Sequence, residues 1–317
     1  MPVVPERVKP LLRPALRRFR AATGNRRIAP SFLVIGAQRA GTTTLFYHLR
    51  RHPNITAPRG ADPRVSWVKE LHFFDEKFSL GFDWYRSFFP LEVTRRIHRR
   101  RGGEVVAGEA TPSYIFHPLA PERVAATLPD VRLVALLRDP IERAYSHYQL
   151  MRRTGRETLS FEEALAKEEK RLAAVAGRTT DDGIARRRGN WRPDHHRRHR
   201  AYFARGLYAE QLERWFAHFP REQLLVVRAE DMLADPARIY ADVLAFIGVA
   251  PWEPEDFTPR NVGAYAPIDP ELRARLEERY AEPNERLNRL LGRDFGWASS
   301  VPAGPGIGAP RQASADG

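Results

Sequence analysis

The run FLVIGAQRAGTTTL, residues 32–45, is the part of the chain best equipped to hold an anion. Four apolar residues lead into Gly36, a second glycine follows at Gly41, and Thr42, Thr43 and Thr44 open the next helix. Glycines permit a tight turn whose backbone N–H groups converge, and a helix N-terminus adds the positive end of its dipole. Ala37, Gln38, Arg39 and Ala40 fill the loop between the glycines. Gly36 and Gly41 keep the spacing of the nucleotide-triphosphate loop G-x-x-x-x-G-K-[ST], but Thr42 stands where that loop has its lysine. The absent lysine is the one that reaches the outer phosphates of ATP. A cation at the loop apex, Arg39, suits one phosphate carrying an attached group better. Two alternatives stay open here: a nucleotide or small-molecule kinase with a degenerate loop, and a non-catalytic anion-binding protein on the same fold.

Glu109, Thr111 and Ser113 follow an apolar strand, at the sheet end where α/β folds bind ligands, and are expected to line an acceptor pocket. The stretch ARRRGNWRPDHHRRHRAYFAR, residues 185–205, is strongly basic and holds Trp191, Tyr202 and Phe203. It is read as an insertion or lid over an acidic or sugar-like acceptor, with its aromatics stacking on rings. Nucleic-acid binding ranks below that, and metal binding by His195, His196 and His199 ranks last, because the flanking arginines repel a cation. No metal ligands are assigned, and no metal is expected.

Positioning these groups requires strands that end beside helix starts, and the chain has that pattern. Strands are predicted at Phe32–Ile35, Val105–Gly108, Arg132–Leu137 and Gln223–Arg228. Helices are predicted at Thr42–Arg51, Phe82–Phe89, Pro118–Leu128, Pro140–Arg152 capped by Asp139, and Phe161–Val175 capped by Ser160. Three more follow at Leu207–Phe219, Asp231–Ile247 and Pro270–Leu291, while Arg95–Arg101 reads as a basic turn. Alternating strands and helices imply an α/β fold, three-layer α/β/α with a mainly parallel central sheet. The expected organisation is a basic leader at 1–30, one domain at 31–297 with the 177–205 insertion, and a small Pro/Gly-rich disordered tail at 298–317.

Composition narrows the chemistry further. The chain has no Cys, which excludes disulfides, iron–sulfur clusters and cysteine nucleophiles. A net charge of +13, from 52 Lys+Arg against 39 Asp+Glu, is compatible with an anionic ligand but does not choose one. No apolar window is long enough for a transmembrane helix and no signal-peptide pattern opens the chain, so a cytoplasmic location is expected. The basic leader allows weak contact with an anionic membrane surface, although Pro10 and Pro14 interrupt any helix there.

With these motifs in order, the chain resembles sulfotransferases that use 3'-phosphoadenylyl sulfate (PAPS), and within them the heparan sulfate (glycosaminoglycan) branch and its bacterial relatives. The resemblance is carried by FLVIGAQRAGTTTLFYHLRRHP, KELHFFD, GEATPSYIF and LLRDPIERAYSHY, and by GLYAEQLERWFAHFP and YAEPNERLNRLLGRDFGW toward the C-terminus. It implies a P-loop-like fold, PAPS as sulfuryl donor and in-line transfer to a hydroxyl, less readily an amine, of a carbohydrate-like or small-molecule acceptor. It implies that Arg39 stands at the loop's leaving-phosphate position and that Glu70 is the general base, assisted or positioned by His72, with Lys69 facing the acceptor. It implies 3'-phosphate contacts from Arg138 and Ser146, and from Arg260 and Gly263 in the later loop RNVGAYAP. Glycosaminoglycan relatives carry a lysine where this chain has Ala110, and their later loop is richer in charge.

Overall fold

The apolar runs do become strands, and the three central ones are sealed from water on both faces. The computed structural model describes residues 18–59, 68, 70–100, 103–173, 200–258 and 265–297. Strand β1 (Phe32–Gly36) is followed by helix α1 (Thr42–Leu49), the two-residue strand β2 (Ile55–Thr56), and helices α2 (Phe73–Glu76), α3 (Phe82–Arg86) and α4 (Glu92–Arg100). Then come β3 (Val106–Ala110), α5 (Ala120–Thr127), β4 (Arg132–Leu137), α6 (Pro140–Arg153), α7 (Phe161–Ala166) and α8 (Glu168–Ala173). The chain continues through α9 (Tyr208–Phe216), β5 (Leu224–Arg228), α10 (Ala229–Ala234), α11 (Pro236–Ile247) and α12 (Pro270–Leu291).

The strands form one sheet in the order β2-β3-β1-β4-β5, and every neighbouring pair is parallel. β1 and β3 are buried at every position, and β4 at all but Arg132. From β1 the chain first builds one side of the sheet and then crosses to build the other. That reversal opens a crevice at the carboxyl ends of β1 and β4, the place where open α/β sheets take ligands. The main apolar core surrounds the sheet, while Ile141, Tyr145, Tyr148, Phe161, Tyr202 and Tyr280 belong to a second core.

Four elements depart from the expected ones. Arg95–Arg101 is not a turn: residues 92–100 are helical, with Glu92 in the first turn and His98, Arg99 and Arg100 in the last, the arrangement a helix dipole favours. The helix expected over Asp231–Ile247 divides at Asp235, which caps α11 through the Arg238 N–H, with Pro236 in the first turn. The helix expected over Phe161–Val175 ends at Ala166, and α8 starts afresh at Glu168. Strand β2 is too short to leave a pattern in the sequence.

Candidate active site

The loop after β1 is shaped by two glycines with different tasks. A Cβ on Gly36 would lie 2.4 Å from Ile115 Cγ2, so the residue must be glycine for the strand end to pass beneath the 114–116 turn. Gly41 has φ +94°, a left-handed conformation that side chains resist, and serves as N-cap of α1 without any side-chain cap. The first turn of α1 therefore meets the loop with its N–H end undecorated by carboxylates. Arg39 between them also has positive φ, at 73°.

Arg39 turns toward the start of α6. Its Nε donates to Ser146 Oγ at 3.0 Å, across 107 positions of sequence. Arg138, closing β4, donates from Nη1 to the Arg39 carbonyl at 3.4 Å. Burial lowers the proton affinity of Arg39, and repulsion from Arg138, Arg153 and Arg143 lowers it further, partly offset by Tyr265. Several guanidinium groups thus converge where two motifs from distant parts of the chain meet, an electrostatic arrangement that an anion relieves. Arg138 also lies 3.6 Å from Glu142, a loose pair with both side chains near one-third exposed.

Asp139 follows at once and caps α6, accepting from the N–H groups of Ile141 and Glu142, both at 2.9 Å. Burial is the main cause that pushes its carboxyl up to about 6, with Glu142 and Glu230 adding repulsion. Glu230 in turn accepts the Asp139 N–H at 2.9 Å.

Glu70 and His72 do come together, by a different route from the extended one that puts alternate residues on one side. His72 has φ +53° and caps α2, and this left-handed turn brings its Nε2 to 3.1 Å from Glu70 Oε2. Its Nδ1 lies 2.9 Å from Asp75 Oδ2, so the imidazole bridges two carboxylates. Burial acts to raise the Asp75 carboxyl, yet His72 and Ser113 more than offset it and hold it below the ordinary range. Asp75 was missed in the sequence, although its i,i+3 spacing from His72 would suit a helical turn. Among the described residues, His72, Asp75 and Glu76 also offer ligand atoms within 4.8 Å of one another.

Glu109, Thr111 and Ser113 are not an open acceptor wall. Glu109 and Thr111 are fully buried and Ser113 nearly so. Glu109 accepts from Tyr85 at 2.9 Å and Tyr114 at 2.7 Å on one oxygen, and from Thr111 at 2.7 Å on the other. Burial pushes its carboxyl up, and those three hydroxyls hold it down. Ser113 donates to Asp75 at 2.5 Å. All three residues underlie the segment that carries Glu70, because β3 ends directly beneath it.

The basic stretch also needs correction where it is described. Tyr202 is fully buried in the second core, and Phe203 stacks on Tyr280 with ring centroids 4.3 Å apart, so neither presents a free ring to an acceptor. Glu168 accepts the N–H groups of Tyr202, Phe203 and Ala204, each at 2.8 Å. Glu157 takes Arg171 at 2.7 and 3.2 Å and the Tyr202 hydroxyl at 3.1 Å. Arg143, wholly buried, donates to the Tyr202 carbonyl. Lys69, Trp191, His195, His196, His199, Arg260 and Gly263, the leader through residue 17 and the 298–317 tail lie outside the described residues.

Comparison with known proteins agrees with this geometry. Residues 29–258 match the family of the sulfotransferase domain. A solved sulfotransferase structure from Alicyclobacillus acidocaldarius superposes with a TM-score of 0.60 at 32% identity, covering 86% of this chain and all of that one. Human heparan sulfate glucosamine 3-O-sulfotransferase 3B1 is 28% identical over 93% of this chain and 70% of its own length. The membrane-associated sulfotransferase kil1 of Dictyostelium discoideum is 28% identical over 84% of this chain and 66% of its own length. Mouse bifunctional heparan sulfate N-deacetylase/N-sulfotransferase 4 is 30% identical over 83% of this chain, which spans 30% of that larger protein.

Proposed function

The chain belongs to the sulfotransferase-domain family, and from that premise we propose that it transfers a sulfuryl group from PAPS to a hydroxyl of a carbohydrate-like acceptor. One observation carries the reading: the Arg39–Ser146 contact of 3.0 Å, which joins the loop after β1 to the helix after β4 at the sheet's ligand crevice. A donor with a 5'-phosphosulfate and a 3'-phosphate needs cations and donors from both of those motifs at once. Arg39 and Arg138, joined through the Arg39 carbonyl, supply the charge. On this reading Gly36, Gln38, Ala40, Gly41, Thr42, Thr43 and Thr44 cradle the 5' group by their N–H and hydroxyl donors. Arg138 and Ser146 hold the 3'-phosphate, joined by Arg260 and Gly263.

Bound donor supplies a sulfuryl group whose bond to the 5'-phosphate oxygen breaks as the new sulfur–oxygen bond forms. Glu70, its side chain 29% exposed, accepts the proton of the acceptor hydroxyl as that oxygen attacks. His72 and Asp75 fix the Glu70 carboxylate by the bonds described above. Arg39, with the N-terminus of α1, neutralises the negative charge left on the phosphate. Being an arginine, it stabilises that charge without giving up a proton. No step in this chemistry calls on a metal ion. Lys69 is assigned to the acceptor.

No helix among the described residues is long and apolar enough to cross a membrane. We place the enzyme in the cytoplasm, with the basic leader making at most a salt-sensitive contact with anionic lipid.

Replacing Glu70→Gln tests the chemistry. Turnover should fall by about 100- to 10,000-fold, while calorimetry still shows binding of adenosine 3',5'-bisphosphate (PAP). Near-wild-type turnover of the variant would remove Glu70 as the base. Tight, Mg²⁺-dependent ATP binding in place of PAP would point back to a kinase.

A further inference from the structure

We propose that Glu109 is a positioning residue for the reaction: through the hydroxyls of Thr111 and Tyr114 it fixes the backbone of residues 71–73, and so the Glu70–His72 pair. The inference rests on Glu70 being the base.

A hydroxyl has one proton to give and two lone pairs to offer. Tyr85, Tyr114 and Thr111 all give their proton to Glu109. What remains to Thr111 and Tyr114 is acceptor capacity, and the backbone above them uses it. Thr111 Oγ1 accepts the N–H of Leu71 at 3.2 Å and of His72 at 3.5 Å. Tyr114 Oη accepts the N–H of Phe73 at 3.0 Å. Three consecutive amides are thereby satisfied in a stretch that belongs to no sheet and turns left-handed at His72. The carboxylate sets the direction of every proton in the set.

The arrangement follows from the strand. Glu109 and Thr111 are alternate residues at the end of β3 and lie on one face, so the carboxylate sits directly against the threonine hydroxyl. Thr111 is itself tied to β1, its N–H donating to the Val34 carbonyl at 3.1 Å. The base-carrying segment is therefore referenced to the same central strand that ends in the Arg39 loop. A glutamine at 109 breaks the logic, because an amide has one acceptor oxygen. Its NH₂ would confront a Thr111 oxygen that already accepts two N–H groups, and the threonine proton would lose its acceptor.

Thr111→Val, nearly isosteric, removes the hydroxyl without opening a cavity, and Thr111→Ser retains it. Both variants, with Glu109→Gln, are measured by steady-state kinetics, by PAP calorimetry, and by hydrogen–deuterium exchange of the peptide spanning residues 70–76. In Thr111→Val, amide exchange at 71–73 should speed up and kcat should fall by about 10- to 100-fold, with PAP affinity and donor KM within about twofold. Thr111→Ser should restore both exchange and kcat. Unchanged exchange in Thr111→Val, unchanged kcat, or failure of serine to rescue would each overturn the proposal. Because exchange reports the backbone without any turnover, failure of the Glu70 assignment would show separately, in Glu70→Gln alone.

Discussion

Asp139 offers a stability measurement whose sign and size follow from its surroundings. The carboxyl caps α6 while facing Glu142 and Glu230, and its pKa rises from the ordinary 3.8 to about 6. The folded chain thus binds this proton more tightly than the unfolded chain does. Its contribution is fully present below about pH 4 and is lost as pH climbs through about 6. A rise of about two units corresponds to about 3 kcal/mol, and partial exposure of the side chain reduces the expected effect to about 1–2 kcal/mol. Asparagine caps a helix about as well as aspartate but carries no charge. Asp139→Asn should therefore be more stable than wild type at pH 8 by about 1–2 kcal/mol, and the gap should close toward pH 4. For a chain of this length that is roughly 2–3 °C in Tm, within reach of thermal melts followed by circular dichroism at pH 4, 6 and 8. Asp139→Ala, which loses the cap, should gain less by about 1 kcal/mol. A wild type that gains on Asp139→Asn as pH rises would refute the reasoning, since the charged carboxylate would then be welcome at the helix start.

Two further outcomes test the donor site. Ser146→Ala should weaken PAP binding by about 10- to 100-fold in calorimetry, the scale of one hydrogen bond to a charged group; a change within twofold would remove Ser146 from the 3'-phosphate. Gly36→Ala drives a methyl to 2.4 Å from Ile115 Cγ2 and should cost about 1–3 kcal/mol in urea unfolding. The double variant Gly36→Ala/Ile115→Ala should be more stable than the two separate losses add up to, and simple additivity would show that the clash is relieved elsewhere.

Much of this was readable in residue order alone because it depends on local signals. RLVALL becomes β4 at its expected boundaries, Asp139 caps α6, Ser160 caps α7, and Pro270–Leu291 is one helix. Strand burial and capping are decided within a few residues, so a linear reading recovers them. What was not readable depends on long-range contacts. The reading of Glu109 as an acceptor residue fails because a carboxylate at a strand's carboxyl end has the same sequence signature whether it meets solvent or three buried hydroxyls. The left-handed turn at His72 is set by hydrogen bonds to Thr111 and Tyr114, some 40 positions away. The helix expected over residues 161–175 is interrupted at Lys167, and the carboxylate of Glu168, which opens the next helix, serves residues 202–204, partners of which helical periodicity carries no trace. Tyr202 and Phe203 resembled a sugar-stacking pair only because the burial of Tyr202 and the stacking of Phe203 on Tyr280 are tertiary facts.

The carboxylate clamps formed by Glu157 and Glu168 bear on how the enzyme could be engineered. Glu157 holds Arg171 and Glu168 holds the amides of residues 202–204, so two described points of the chain some thirty positions apart are each tied to a buried carboxylate. Between fixed anchors, the cost of changing a segment's length grows only with the logarithm of that length. A redesign of the sequence between residues 171 and 202 should therefore keep both carboxylates, which anchor its two described ends.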